Sequence, residues 1–191
     1  MAEEALRAGR LVVIPTDTVY GVAARPDIPG AIAAIFEAKG RPEDKAIPIL
    51  GASRDDLEVV ALFDDAARRL AERFWPGPLT LVLSRASDFE VDLGGTDPGT
   101  IAVRVPAHDV AIELLRRSGP LAVTSANRSG APASTTVEQA RSSLGDSVAV
   151  YLDAGVCDDE PSTVAVVAGG LRVLRPGPVS EDELRGPFSP P

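Results

Sequence analysis

The sequence predicts an α/β fold, with strands and helices alternating around an open sheet, and three observations carry that expectation. Short apolar runs bounded by turn residues alternate with amphipathic stretches along the chain, without an internal repeat or a low-complexity linker. At 191 residues the chain is long enough for one domain with a sizeable core. Several apolar runs also stop at polar or turn clusters: Pro15-Thr16-Asp17-Thr18, Ser125-Ala126-Asn127 and Arg175-Pro176-Gly177. In open α/β sheets, strand ends and the loops after them are where ligands bind.

Residues 3–8 read as a short amphipathic helix and the apolar run 11–14 as the first strand. Residues 30–39 form the next helix, because Ile32, Ile35, Phe36 and Lys39 recur at i, i+3, i+4 and i+7 and share one face. That face packs on the sheet, which puts Lys39 at the inner edge of the last turn. Gly40 ends the helix and Arg41-Pro42 redirects the chain, so Lys39 and Arg41 can converge on one pocket. A lysine that only snorkels beside a helix C-terminus is the competing reading of Lys39.

Residues 47–50 read as a strand and 64–73 as a helix, and Trp75-Pro76-Gly77-Pro78 as a rigid turn into a strand at 79–83. A strand at 101–105, a helix at 110–118, a strand at 121–124 and a helix at 137–144 follow. Strands at 148–152, 163–167 and 172–174 and a short helix at 181–184 complete the pattern. Residues 1–185 are expected to form one domain, with 186–191 as a frayed tail.

The formal net charge of −9 argues against long-range attraction to nucleic acid or an anionic membrane, while leaving room for a local basic cleft. An aromatic content of 4% is too low for a base-stacking platform. The single cysteine, Cys157, permits no intramolecular disulfide and suits a reducing compartment. Residues 1–14 begin acidic and carry an apolar run too short for a secretory or spanning segment, so a cytoplasmic protein without membrane contact is expected. One histidine, His108, and one cysteine cannot assemble a zinc site from the usual ligands, and no metal-binding residues are expected.

Arginine outnumbers lysine seventeen to two, and both lysines fall in Lys39-Gly-Arg-Pro-Glu-Asp-Lys45. In a chain this biased, a retained lysine marks a place where a compact ammonium fits and a guanidinium fork does not. The only asparagine, Asn127, lies in Thr124-Ser125-Ala126-Asn127. Neither a Walker A sequence nor G-x-G-x-x-G is present. Ser125-Ala-Asn127-Arg-Ser129-Gly130 offers hydroxyls, an amide and a glycine-permitted turn suited to phosphate or carboxylate oxygens, although such clusters are often only turns. Arg104 and Arg175, at strand ends, point either to solvent or into a cavity; in the second case four cations, with Lys39 and Arg41, would face an anionic ligand. His108 reads as a surface or capping residue at a helix start, and Cys157, among acidic neighbours, as a poor nucleophile. Asp158-Asp159-Glu160 reads as a solvated loop.

Taken together, these segments resemble the YrdC/TsaC family of L-threonylcarbamoyladenylate synthases, from about Gly9 to about Val179. The resemblance rests on Pro15-Thr-Asp-Thr-Val-Tyr-Gly21, Lys39-Gly-Arg-Pro42, Phe74-Trp-Pro-Gly-Pro-Leu-Thr80, Ala102-Val-Arg-Val-Pro106, Thr124-Ser-Ala-Asn-Arg-Ser-Gly130, Pro161-Ser-Thr-Val164 and Leu174-Arg-Pro-Gly177, in the family's order. It implies a twisted, open, mixed sheet flanked by helices with a central ligand cleft, in the short single-domain form. It also implies synthesis of threonylcarbamoyl-AMP and pyrophosphate from L-threonine, bicarbonate or CO2, and ATP with Mg²⁺. Other proteins would then transfer the threonylcarbamoyl group to tRNA, with a weak tRNA contact as a further expectation.

The resemblance assigns an active-site tetrad to Lys39, Arg41, Ser125 and Asn127. It assigns threonine contacts to Thr18, Arg104 and Ser162, and ATP contacts to Arg41, Lys45, Thr100, Ser125, Ser134 and Arg175. Leu50 stands where some relatives have a histidine, Lys45 where they have an asparagine, and Ala133 where a nucleotide-binding serine is expected, with Ser134 beside it. Two other readings are an RNA-binding module without turnover and a carbamoyl-transfer domain using carbamoyl phosphate. Glycine, proline and polarity make 25–30 and 87–99 the lid candidates.

Overall fold

The computed structural model describes residues 1–157, 160–167 and 170–186. In chain order the elements are α1 (Ala2–Arg7), β1 (Leu11–Ile14), β2 (Gly21–Ala24), α2 (Ala31–Lys39), β3 (Ile49–Leu50), α3 (Arg54–Leu57), β4 (Ala61–Leu62), α4 (Asp65–Phe74), β5 (Leu79–Arg85) and β6 (Thr100–Arg104). They continue as α5 (Asp109–Ser118), β7 (Leu121–Ser125), α6 (Val137–Leu144), a 3₁₀ turn (Gly145–Ser147), β8 (Val148–Tyr151), β9 (Thr163–Val166), β10 (Arg172–Arg175) and α7 (Glu181–Arg185).

Among the described residues the strands form one sheet in the order β10-β9-β5-β6-β3-β7-β2-β1-β8, with β4 on the part of β5 beyond β9. Pairs β1–β8, β3–β6 and β5–β9 are parallel and the rest antiparallel, so the sheet is mixed. Alternate residues of its strands enter two buried clusters. Val12, Ile14, Ala23, Leu121 and Val123 pack with Ala5 and Leu6 of α1 and with Ala111, Leu114 and Leu115 of α5. Val13, Val22, Ala24 and Ala122 join the larger cluster, with Ile35 of α2, Leu70 of α4 and Leu144 of α6. The two-residue period of a strand is what sends neighbours to opposite faces.

Every helix and strand expected from the sequence is present, with ends shifted by one or two residues. Strands β2 and β4 and helix α3 were not anticipated. Gly-Val-Ala-Ala in β2 has little intrinsic preference for a strand and shows no alternation, because all four residues are buried. It becomes a strand because β1 and β7 pair with it on both sides. Of the expected tail 186–191, all but Gly186 lies outside the described residues, as do Asp158 and Asp159 of the acidic run.

After β10 the chain is pinned by one buried side chain. Thr163, fully buried, donates to Val179 O at 2.8 Å and accepts from Val179 N at 3.0 Å. Thr163→Val keeps the shape but leaves both backbone groups of Val179 without that partner. It is expected to cost about 2 kcal/mol with an unchanged denaturant slope, read from urea unfolding.

Candidate active site

A cavity of about 350 Å³ opens on the face of the sheet over β5 and β6. Register builds it. Val82 pairs with Ala102, Leu50 with Arg104, Thr80 with Val164 and Gly21 with Ser125, and all eight line the cavity. Their neighbours Leu79, Leu81, Leu83 and Val103 point the other way, into the core. Val82, Ala102 and Leu50 make part of the lining apolar, while Arg41, Arg104 and Arg175 supply charge.

Arg175 reaches the cavity through a bulge. Val173 pairs with Ala165, but Arg175, two residues on, pairs with Val164, so Leu174 is the extra residue. In unbroken register Arg175 would oppose Thr163 and face away from the cavity; the bulge puts it on the Val164 face, and Leu174 remains 48% exposed. Arg175 then donates to Ser162 O at 3.1 Å from Nε and 2.7 Å from Nη2, and to Ser162 Oγ at 3.2 Å. Ser162 Oγ lies 2.8 Å from Thr80 Oγ1.

Arg104, 5% exposed, is held on three sides: Nε donates to Gly77 O at 2.9 Å, Nη1 to Thr18 Oγ1 at 2.9 Å and Nη2 to Asp17 Oδ1 at 2.6 Å. Asp17 is itself fixed by Ala107 N, which donates to the same oxygen at 2.9 Å. The remaining N–H groups, on the two terminal nitrogens, form the fork that suits a carboxylate. Thr16 ties the loop down by donating to Val19 O at 2.6 Å and accepting from Val19 N at 3.2 Å.

Arg41 donates from Nε to Lys45 O and from Nη2 to Ala46 O, each at 2.9 Å. Lys39 lies behind the cavity wall, 2% exposed, and its ammonium donates to Ser125 O and to Asn127 O. Its own carbonyl accepts from Ser129 N at 2.8 Å, which joins the end of α2 to the loop after β7 at both ends of one residue. Asn127 Nδ2 donates to Arg128 O at 2.9 Å and Ala131 O at 2.7 Å, while Asn127 Oδ1 is buried without a hydrogen-bond partner.

Charge and burial act together here. Burial pulls the Arg41, Arg104 and Arg175 guanidinium groups below their ordinary range; Asp44 opposes the shift at Arg41 and Asp17 the shift at Arg104, while Arg175 adds a smaller repulsion toward both. Burial also lowers Lys39 to about 8, with a smaller contribution from Arg41. Among the described residues Asp17 is the only carboxylate in ion-pair contact with any of the three cavity arginines. The cavity is therefore cationic inside a chain of net charge −9.

Of the residues expected at the site, Arg41, Ser125, Arg175, Thr18, Arg104 and Ser162 line the cavity. Lys39, Asn127, Lys45, Thr100 and Ser134 do not. Ser134 turns inward and donates to Ala126 O at 2.7 Å. His108 is at the N-cap of α5 without a capping hydrogen bond from its side chain. Neither lid candidate lines the cavity. Asp17, Gly77 and Thr80 were missed as individual residues, although each lies within a motif string that the sequence displays.

The site thus defines an α/β protein whose sheet face holds a cationic pocket. The chain belongs to the Sua5/YciO/YrdC family: the family model, described as "Telomere recombination", matches residues 4–177. A protein of Mycobacterium tuberculosis strain H37Rv, provisionally named a threonylcarbamoyl-AMP synthase, is 50% identical over 183 residues, covering 94% of this chain and 84% of that protein. The threonylcarbamoyl-AMP synthase of Pyrococcus abyssi is 40% identical, covering 94% of this chain and 54% of that protein. A crystal structure of P. abyssi Sua5 complexed with L-threonine matches with a TM-score of 0.92 at 39% identity, covering 98% of this chain and 56% of that one. The present chain spans about half the length of the P. abyssi protein.

The buried ammonium gives a pH signature. With its folded pKa near 8 and its unfolded value at 10.5, Lys39 binds more protons in the unfolded chain between those limits. Its charged form is thus a destabilising contribution that is full below about pH 8 and fades as the pH rises toward the unfolded value. Wild type should gain about 2 to 3 kcal/mol relative to Lys39→Met between pH 7 and pH 10, read from urea midpoints at each pH. A constant difference would place the ammonium in contact with water.

Proposed function

We propose that this chain forms L-threonylcarbamoyl-AMP and pyrophosphate from L-threonine, bicarbonate or CO2, and Mg²⁺-ATP. The observation that carries this reading is the convergence of Arg41, Arg104 and Arg175 on one cavity, where among the described residues only Arg104 has a carboxylate, that of Asp17, at ion-pair distance. The family's named synthases, and a member solved with L-threonine, supply the substrate class.

Arg104 and Thr18 would hold the amino acid, with the carboxylate in the guanidinium fork and Ser162 as a further contact. Arg41, Arg175 and Ser125 would take phosphate oxygens, and Lys45 and Thr100 the part of ATP beyond the cavity. Lys39, Asn127 and Ser134 would act from behind the wall by holding the loop that follows Ser125. Among the described residues no cluster of three acidic, histidine or cysteine side chains could hold a metal. Mg²⁺ would enter as part of the ATP substrate, bound through phosphate oxygens.

The neutral threonine amine attacks CO2 and loses a proton to give a carbamate, which decomposes quickly in water. Binding it beside ATP supplies proximity and excludes water. A carbamate oxygen then attacks the α-phosphorus, the bond to the bridging oxygen breaks, and pyrophosphate leaves with both electrons. Negative charge grows on the transferring group, where Arg41 and Arg175 are already fixed by backbone carbonyls and need little reorganisation. No protein nucleophile is needed. The product would pass in the cytoplasm to proteins that modify tRNA, with at most a weak tRNA contact by this chain.

Pyrophosphate release from Mg²⁺-ATP is expected to require both L-threonine and bicarbonate, and mass spectrometry should show the mass of threonylcarbamoyl-AMP. Release without threonine, or with carbamoyl phosphate in its place, would overturn the reading.

A further inference from the structure

The direction of Arg41 is set by two backbone carbonyls, those of Lys45 and Ala46, because no carboxylate among the described residues is within ion-pair distance of it. Those carbonyls belong to a loop of exposed residues between α2 and β3, which has little core of its own. Something must hold that loop, and the structure provides it from outside the cavity.

The chain at 92–95 lies against the back of the loop. Gly95 N donates to Glu43 O at 2.7 Å and Ile47 N donates to Leu93 O at 2.8 Å, while Leu93 is 1% exposed and anchors the contact. Gly94 N is fixed by Asp92 Oδ1 at 2.8 Å. Two features at this contact require glycine. Gly94 and Gly95 have φ of +72° and +96°, values that side-chain-bearing residues rarely adopt. A Cβ on Gly94 would lie 2.7 Å from Glu43 O, and one on Gly95 would lie 2.8 Å from Ala46 Cβ. The second clash falls on the residue whose carbonyl holds Arg41 and which itself lines the cavity.

We propose that Gly94-Gly95 is a positioning element for the nucleotide half of the site, holding the 43–46 loop so that Arg41 points at the ATP phosphates. The pair touches no substrate. It acts through Ala46 and Arg41, and it rests on the reading of Arg41 as a phosphate contact.

The test compares wild type, Gly95→Ala and Gly119→Ala. Gly119, at φ +78°, meets nothing within 4 Å, so alanine there brings backbone strain without a clash. Affinities for Mg²⁺-ATP and for L-threonine are measured separately by calorimetry. Hydrogen exchange of the Arg41 Nε–H is followed by NMR, the resonance being assigned by its loss in Arg41→Lys. Gly95→Ala should weaken Mg²⁺-ATP binding about tenfold and speed Arg41 Nε–H exchange, with threonine affinity within about twofold. Gly119→Ala should lose thermal stability and change neither affinity nor exchange. If Gly95→Ala does not fold, Asp92→Ala should show the same selective change at smaller size.

Unchanged Arg41 exchange in Gly95→Ala overturns the brace whatever becomes of the synthase reading, as does an equal loss of ATP affinity in Gly119→Ala. Wild type that protects the Arg41 Nε–H but does not bind Mg²⁺-ATP overturns the synthase reading instead, and the nucleotide role of Arg41 with it.

Discussion

Lys39 carries a positive charge where water hardly reaches it, and its ammonium is met by two backbone carbonyls, Ser125 O and Asn127 O, rather than by a carboxylate. Carbonyl dipoles offset the loss of hydration only in part, which is why burial lowers its pKa to about 8. That cost fixes the geometry of everything nearby. The ammonium spans the loop after β7 on both sides of Ala126, and the carbonyl of the same residue accepts from Ser129 N. The stop of α2, and with it Arg41, is thereby fixed against the end of β7, where Ser125 lies. A guanidinium is planar and needs more room to aim its donors at two carbonyls so close in sequence. Retention of lysine in an arginine-rich chain is consistent with this use.

The sheet solves a different problem, the delivery of three guanidinium groups to one side. Arg104 needs only the ordinary alternation of β6, with Val103 on the opposite face. Arg175 needs the Leu174 bulge, which exchanges the faces of the last residues of β10. Arg41 comes from a loop and so depends on carbonyl partners and on the glycine contact behind them. The three are aimed by three kinds of constraint, which makes the cavity tolerant of change in one element and sensitive at a few backbone positions.

The sequence announced some of this and concealed the rest, for physical reasons. The i, i+3, i+4, i+7 face ending at Lys39 placed that residue on the inner side, and the structure buries it there. What the pattern could not show was that the ammonium points behind the cavity wall, because helical period sets a face and not the partner of a long side chain. Strand alternation left Arg104 and Arg175 with two directions each. For Arg104 the answer lay in Asp17, Thr18 and Gly77, which are far from it in sequence and reach it only through tertiary structure. For Arg175 it lay in a register shift, which leaves no compositional trace. Strand β2 was hidden because its pairing on both sides, and not its own preference, makes it a strand.

Folding and function pull against each other at this site. Three arginines are buried with lowered pKa, Arg175 repels the other two, and Asn127 Oδ1 is buried without a partner. Each of these reduces the stability of the ligand-free chain. Charge of this kind, fixed before the ligand arrives, spares the reorganisation that water or loose side chains would need as negative charge develops. The surrounding structure bears that cost through features that touch no ligand: the Thr163 link to Val179 and the apolar clusters on both sheet faces. The residues that matter most for the chemistry are thus arranged by residues that take no part in it, and a motif comparison limited to the cavity lining would pass over them.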